Sequence, residues 1–195
     1  MLYYLGKYMF FMSERLLNQK SKINFGLSGR AVSQEIDKDL LDNILQHLSM
    51  ERNANVQYFS MSLWFQERDL TGFSSFFLKE SKEELEHAYK FTNYLIARGQ
   101  KIDLFELSKP SQHWDSIEDL ISFAFNMESD LTISLQQLYS ISERTSDIRT
   151  NVFLDPIVES QIKSEDEFAH ILGKVKFSGE NPSAILIVDE YLSRK

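Results

Sequence analysis

Four long segments of the chain place apolar residues at alternating steps of three and four, the spacing that keeps one face of an α-helix apolar. They cover residues 41–65, 73–94, 121–138 and 154–175. Turn-forming residues are scarce: seven Gly and three Pro among 195 residues, or about 5% against roughly 12% on average. Such a composition disfavours a many-stranded sandwich or barrel. We therefore predict an all-α fold of long helices with few loops.

The connections between these segments predict how the helices are arranged. The links at 67–72 and near Ser146 are short, so the helices that each link joins should be antiparallel neighbours. Residues 99–114 separate the second and third helices, and such a segment can extend roughly 50 Å, past a 28-residue helix of roughly 42 Å. We predict a four-helix bundle with one long crossover between helices two and three, plus a short C-terminal fifth helix at 183–191.

The N-terminal region is predicted to be an arm, residues 1–30, ahead of a single domain at 31–195. The first residues, MLYYLGKYMFFM, are apolar and aromatic, but Lys7 interrupts them and they are too short to span a bilayer. The flanking features of a signal peptide are missing. A true translation start at Met12 is an open alternative. We expect no membrane association.

The charge balance bears on the partners of the protein. Lys and Arg number 21 against 29 Asp and Glu, a net charge of −8. This argues against nucleic acid or an anionic membrane as the main partner and is compatible with handling cations. Cysteine is absent from the sequence, which excludes a thiolate nucleophile and a thiolate metal site. A chain without cysteine suits a reducing compartment, and we expect a cytoplasmic location.

The apolar helix faces are interrupted by acidic side chains and one histidine, with no Lys or Arg at the inward positions. Carboxylates that face each other in a core are costly unless they are protonated or neutralised. A bound cation is the simplest resolution. The inward residues are Glu51, Glu80, Glu84, His87, Glu128 and Glu165.

Four polar residues, one on each helix, lie near the middle of their helices, and mid-helix positions meet at one level of a bundle whatever the helix direction. Within the second helix, the Glu84-x-x-His87 spacing places both side chains on one face. Carboxylates with a single imidazole suit iron or manganese. The four residues predicted at this level are Glu51, Glu84, Glu128 and Gln161. His87 lies one turn from Glu84, and Tyr58 lies two turns from Glu51, on nearly the same line, so its phenol is expected to reach the site.

A second Glu-x-x-His pair, Glu167 and His170, competes with the first. At 100° per residue, His170 lies about 180° from Gln161 around the fourth helix, so this pair is predicted to lie outside the site. We predict that the remaining histidines, His47, His113 and His170, lie on the surface.

One stretch from each predicted helix carries a resemblance to a known family. These stretches are SMERNANVQYFSMSLWF, FFLKESKEELEHAYKFTNYL, FNMESDLTISL and FLDPIVESQIKSEDEFAHIL. On them the chain resembles a prokaryotic, cyanobacterial-type non-haem ferritin, from about residue 31 to residue 192.

The resemblance implies a ferroxidase centre with a heavy-chain-like ligand set and two iron ions per subunit. Glu51, Glu84 and His87 would hold one iron, and Glu84 would bridge to a second iron that is also held by Glu128. The remaining residues matched to the centre are Tyr58, as the tyrosine beside the site, and Gln161, as a helix-four ligand.

The implied activity is oxidation of Fe²⁺ by O₂ (or H₂O₂) and mineralisation of Fe³⁺ inside a homo-oligomeric cage of 24 subunits. Glu80 and Asp155 are candidates for the iron route. Leu85 stands where bacterioferritin has its haem-binding Met, so no haem is expected. Ser164, with Lys163 beside it, stands where bacterial ferritins often carry a further Glu, so a third iron site on helix four is not expected. The alternatives are a di-iron oxidase or oxygenase with another substrate, and a cage subunit without catalysis.

Overall fold

The computed structural model describes residues 23–179 and 181–194, and in these residues it contains five helices and one short β-hairpin. No helix in this part of the chain combines the length and the apolar character needed to cross a membrane. The all-α prediction is confirmed apart from the hairpin. The elements are β1 (Asn24–Phe25), β2 (Ala31–Val32), α1 (Lys38–Gln66), α2 (Thr71–Ala97), α3 (Ile117–Arg144), α4 (Ile148–Ser178) and α5 (Pro182–Leu192).

Several helix ends lie at residues that satisfy free backbone groups. The Asp37 side chain accepts hydrogen bonds from the first amides of α1, and Ser116 accepts one from the amide of Asp119 at the start of α3. After α2, Gly99 adopts a positive φ of 73°, a conformation that glycine reaches without a steric penalty. Each long helix includes its predicted periodic segment and extends beyond it at both ends, to boundaries that such local signals help to set.

The four long helices form the predicted bundle with a long crossover. Short turns connect α1 to α2 and α3 to α4, and these two pairs pack closely. The crossover, residues 98–116, carries no regular secondary structure and lies along α1. There Ser111 donates its backbone amide to the Gln57 side chain at 2.8 Å, and its carbonyl accepts from Ser60 at 2.7 Å. The indole of Trp64 near the end of α1 contacts Trp114, so α3 starts at the end of the bundle where α2 starts.

The β-hairpin lies across the predicted boundary between an arm (1–30) and a domain (31–195). It packs on the end of α2, where Ser28 donates both its amide and its hydroxyl to the carbonyl of Gly99, at 3.0 and 2.8 Å. A Cβ on Gly26 would lie 2.3 Å from that same carbonyl oxygen. Residues before position 31 therefore also pack against the helix bundle. The apolar first stretch and the alternative start at Met12 lie outside the described residues.

Two apolar clusters fill the bundle, and a polar layer separates them. One cluster surrounds Phe65, Phe77 and Phe168 near the end that carries α5. The other surrounds Leu48 and Phe91 toward the opposite end. Each long helix crosses from one cluster to the other, and the inward polar residues lie at that crossing point.

Helix α5 packs on the start of α2 through a close backbone contact. Leu70, at the N-cap of α2, provides no side-chain cap, and instead the Asp189 carboxylate of α5 accepts a hydrogen bond from the amide of Phe73 at 2.8 Å. A Cβ on Gly72 would lie 1.9 Å from the carbonyl oxygen of Asp189. The fifth helix thus caps the second one, and only glycine fits at position 72.

Replacing Gly72 by Ala should detach α5 from the bundle, because the new methyl group cannot share space with a backbone oxygen. We expect a loss of about 1–3 kcal/mol of stability, the range for overpacking, and faster proteolysis near residues 179–182. Gly173→Ala is the matched control, since nothing lies within 4 Å of its added Cβ. Equal protease resistance of the Gly72 variant and wild type would contradict this packing.

Candidate metal centre

Each of the four long helices contributes one buried polar residue to the layer between the apolar clusters. Glu51, Glu84 and Glu128 are exposed by 2% or less, and Gln161 by 6%. They are the fourteenth, fourteenth, twelfth and fourteenth residues of their helices. The structure therefore places all four at one level of the bundle.

Glu51, Glu84 and His87 form the tightest group in this layer. Each offers a ligand atom, and the three atoms lie within 4.8 Å of one another. His87 Nδ1 is 3.2 Å from Oε2 of Glu84 and 3.7 Å from Oε2 of Glu51. Oε2 of Glu51 is buried without a hydrogen-bond partner. Because an unsatisfied buried carboxylate oxygen is costly, and because hard oxygen ligands with one imidazole suit iron, the group fits a divalent cation such as Fe²⁺.

The electrostatics of this pair of carboxyls favour exchange of a proton for a cation. Burial, the adjoining Glu51 carboxyl and the charges of nearby acids hold the pKa of Glu84 well above its usual range. Burial also acts to raise the pKa of Glu51, but its interactions with Glu84, His47 and His87 outweigh burial and keep that pKa below the usual range. Glu84 is therefore the more readily protonated of the two carboxyls, and a cation bound there would displace a proton.

Glu128 approaches this group from α3, and two neighbours orient it. The Tyr58 hydroxyl donates to its Oε1, and the Gln161 amide donates to its Oε2 at 2.7 Å and to its carbonyl at 3.1 Å. Burial raises the pKa of Glu128 despite these two hydrogen bonds. The Tyr58 ring stacks on Phe168 with centroids 5.5 Å apart. Gln161, predicted as a ligand, here makes its hydrogen bonds to Glu128.

The two residues predicted for an iron route lie in different environments. Glu80 is one turn before Glu84 and only 4% exposed. Burial, followed by the charges of Glu83 and Glu167, raises its pKa to about 8. Asp155 is exposed on α4 and accepts a hydrogen bond from the Tyr139 hydroxyl at 2.9 Å. Of these two residues, only Glu80 is buried beside the polar layer.

The second Glu-x-x-His pair lies outside the site, as its helical angle predicts. His170 is exposed, with its ring beside that of Tyr191, and Glu167 is half-buried. Glu165, predicted to face inward, is also half-buried and accepts a hydrogen bond from Thr132.

The prediction that His47 lies on the surface is wrong, whereas His113 and His170 are exposed. His47 is fully buried, with Nε2 2.9 Å from Oε1 of Glu51 and Nδ1 2.9 Å from the Ser134 hydroxyl. Its N–H is not aimed along the line to Oε1, so the contact with Glu51 is short but bent. The sequence spacing could have indicated the burial of His47, because a residue four positions before Glu51 lies on the same helix face.

The arrangement of these helices and side chains matches known proteins. Residues 41–178 match the ferritin family, described as a ferritin-like domain. The chain is 28% identical over 157 residues to a bacterial non-heme ferritin of Campylobacter jejuni, covering 80% of this chain and 94% of the relative. It is also 28% identical over 156 residues to a ferritin of Pacifastacus leniusculus, covering 78% and 86%.

Solved structures agree with the sequence relatives. A novel open-pore ferritin from the archaeon Archaeoglobus fulgidus superimposes with a TM-score of 0.80 at 26% identity, covering 83% of this chain and 99% of that one. The family match spans most of the chain, and it includes the helices that carry the buried carboxylates. The chain therefore belongs to the ferritin family.

Proposed function

We propose that this protein is an iron-storage ferritin with ferroxidase activity, which oxidises Fe²⁺ with O₂ in the cytoplasm and stores Fe³⁺ as a mineral inside a 24-subunit cage. The observation that carries the proposal is the buried group of Glu51, Glu84 and His87, with one carboxylate oxygen of Glu51 left without a partner. Membership of the ferritin family supports iron as the cation.

In this proposal the buried carboxylates bind the iron substrate and stabilise its oxidised form. Glu51, Glu84 and His87 bind one Fe²⁺, and Glu84 with Glu128 binds a second, with Gln161 completing that position. Two Fe²⁺ ions supply the two electrons that reduce O₂ to H₂O₂, with two protons taken up. Anionic oxygen ligands favour Fe³⁺ over Fe²⁺ because they are hard and negatively charged.

The same proposal gives Glu80 and Asp155 roles in iron transfer. Glu80 is an acidic side chain next to the centre whose raised pKa lets it exchange a proton for a passing cation. Asp155, exposed near the start of α4, would face a channel between subunits. Leu85 provides no ligand for haem, so the centre works with iron alone.

Exposed apolar side chains support assembly into a cage. Phe177 at the end of α4 is 95% exposed, and Leu186 and Ile187 on α5 are 59% and 71% exposed. Exposed apolar residues that lie side by side, as Leu186 and Ile187 do on α5, mark interaction sites. Contacts among copies of α5 would cover these two residues.

The test is aerobic addition of Fe²⁺ to the purified protein, with near-ultraviolet absorbance followed in time and particle size measured in parallel. We expect a fast phase that saturates at two Fe²⁺ per chain, and a particle of roughly half a megadalton. An assembled cage without a fast phase would indicate a non-catalytic subunit. A particle near the size of a dimer would reject the cage.

A further inference from the structure

His47 contacts one oxygen of Glu51, while the metal-facing groups lie at the other oxygen. Nε2 of His47 is 2.9 Å from Oε1, whereas Nδ1 of His87 is 3.7 Å from Oε2. The Glu51 carboxylate is therefore held between two imidazoles, and the oxygen on the His87 side is the one without a hydrogen-bond partner.

The His47 ring is itself fixed on three sides. Its Nδ1 lies 2.9 Å from the Ser134 hydroxyl on α3, and the ring packs against that of Phe91 on α2 at an angle of 61°, with ring centroids 4.7 Å apart. The third contact is Glu51. The ring thus joins three helices at the level of the site, and none of its surface is exposed.

The protonation of the ring follows from its neighbours. Ionised Glu51 can only accept hydrogen bonds, so Nε2 must carry a proton to tolerate a carboxylate oxygen at 2.9 Å. In the neutral ring Nδ1 is then an acceptor, and the Ser134 hydroxyl can donate to it. With the Ser134 hydroxyl donating to Nδ1, the proton of the neutral ring lies on Nε2, the nitrogen that contacts Glu51 at 2.9 Å.

We propose that His47 is a positioning residue: it holds Oε1 of Glu51 so that Oε2 stays turned toward Glu84 and His87 for Fe²⁺. This inference rests on the proposed function, because it assigns His47 to the same centre. Partners that orient metal ligands commonly change metal affinity 10- to 100-fold when they are removed. Like such partners, His47 is not itself a member of the group of Glu51, Glu84 and His87.

The test compares His47→Leu with His47→Gln. A glutamine amide nitrogen reaches about as far as Nε2 and can donate to Glu51, whereas leucine keeps the apolar volume without a donor. The probe is Co²⁺ added without oxygen and followed by visible absorbance, which reports binding independently of iron oxidation. We expect His47→Leu to bind Co²⁺ about 10- to 100-fold more weakly and His47→Gln to restore most of the affinity.

Further variants separate positioning from packing. Ser134→Ala removes only the contact that orients the ring, so we expect a smaller loss of Co²⁺ affinity in a protein that folds normally. This variant tests the proposal even if His47→Leu fails to fold. His113→Gln, at an exposed histidine, should bind like wild type.

The outcomes distinguish the positioning role of His47 from the proposed metal centre. If wild type binds Co²⁺ and both His47→Leu and Ser134→Ala bind it equally well, the positioning role is rejected and the proposed function stands. Equal weakening in the Leu and Gln variants would also reject it, since a donor at position 47 would then not matter. Failure of wild type to bind Co²⁺ would reject the centre itself, and the role of His47 with it.

Discussion

Replacing Glu84 by Ala is expected to abolish the fast phase of iron oxidation, lowering the initial rate at least about 100-fold. Oε2 of Glu84 lies 3.2 Å from Nδ1 of His87, and a ligand atom of Glu51 lies within 4.8 Å of both residues; in the proposed centre Glu84 is the ligand shared by both iron ions. Losing a shared ligand removes both positions at once, whereas losing Glu128 would remove one. The measurement is stopped-flow absorbance in the near ultraviolet after aerobic addition of Fe²⁺.

The stability of the Glu84 variant separates this effect from misfolding. Because burial holds the pKa of Glu84 well above its usual range, its carboxyl opposes folding at neutral pH, and its removal should not lower the unfolding temperature of the cation-free protein by much. Glu86→Ala is the control, as Glu86 lies two residues further along α2 and is exposed. Persistence of the fast phase in Glu84→Ala, with a normal rate in the control, would overturn the assignment.

The level of the site could be predicted from the sequence because helix geometry is regular. Counting from the observed helix starts, Glu51, Glu84 and Gln161 are each the fourteenth residue. The starts of α1 and α4 are set by the Asp37 and Asp147 caps, local signals that act over a few residues. The position of a residue along the helix axis can therefore be predicted from the capping residue and the rise per residue alone.

The contacts within the site could not be predicted in the same way, because they depend on side-chain direction between helices. Periodicity places Gln161 inward but does not reveal that its amide donates to Glu128. The burial of His47 depends on Ser134 from α3 and Phe91 from α2, neither of which is near it in sequence. Capping of α2 by Asp189 is another such tertiary contact, formed across 116 positions.

The pH dependence of stability should reveal the proton that Glu80 carries. Its pKa in the folded protein is raised from 4.5 to about 8, so the folded chain keeps a proton that the unfolded chain has released. Stability is therefore greatest below pH 4.5 as far as this group is concerned, and it is lost as pH rises toward 8. Over that pH range the shift in pKa corresponds to a loss of at most about 5 kcal/mol in the free energy of unfolding.

Glu80→Gln removes this ionisation while keeping the shape of the side chain. We expect the cation-free variant to be about 2–4 kcal/mol more stable than wild type at pH 8, and to differ little from it near pH 4.5. The measurement is thermal unfolding across that pH range in the presence of a chelator, with Glu86→Gln as the exposed control. Parallel curves for wild type and Glu80→Gln would show that the pKa of Glu80 is the same in the folded and unfolded chains, so that Glu80 is ionised in the folded protein at neutral pH. In that case it could not exchange a proton for iron, and its place in the proposed route would be lost.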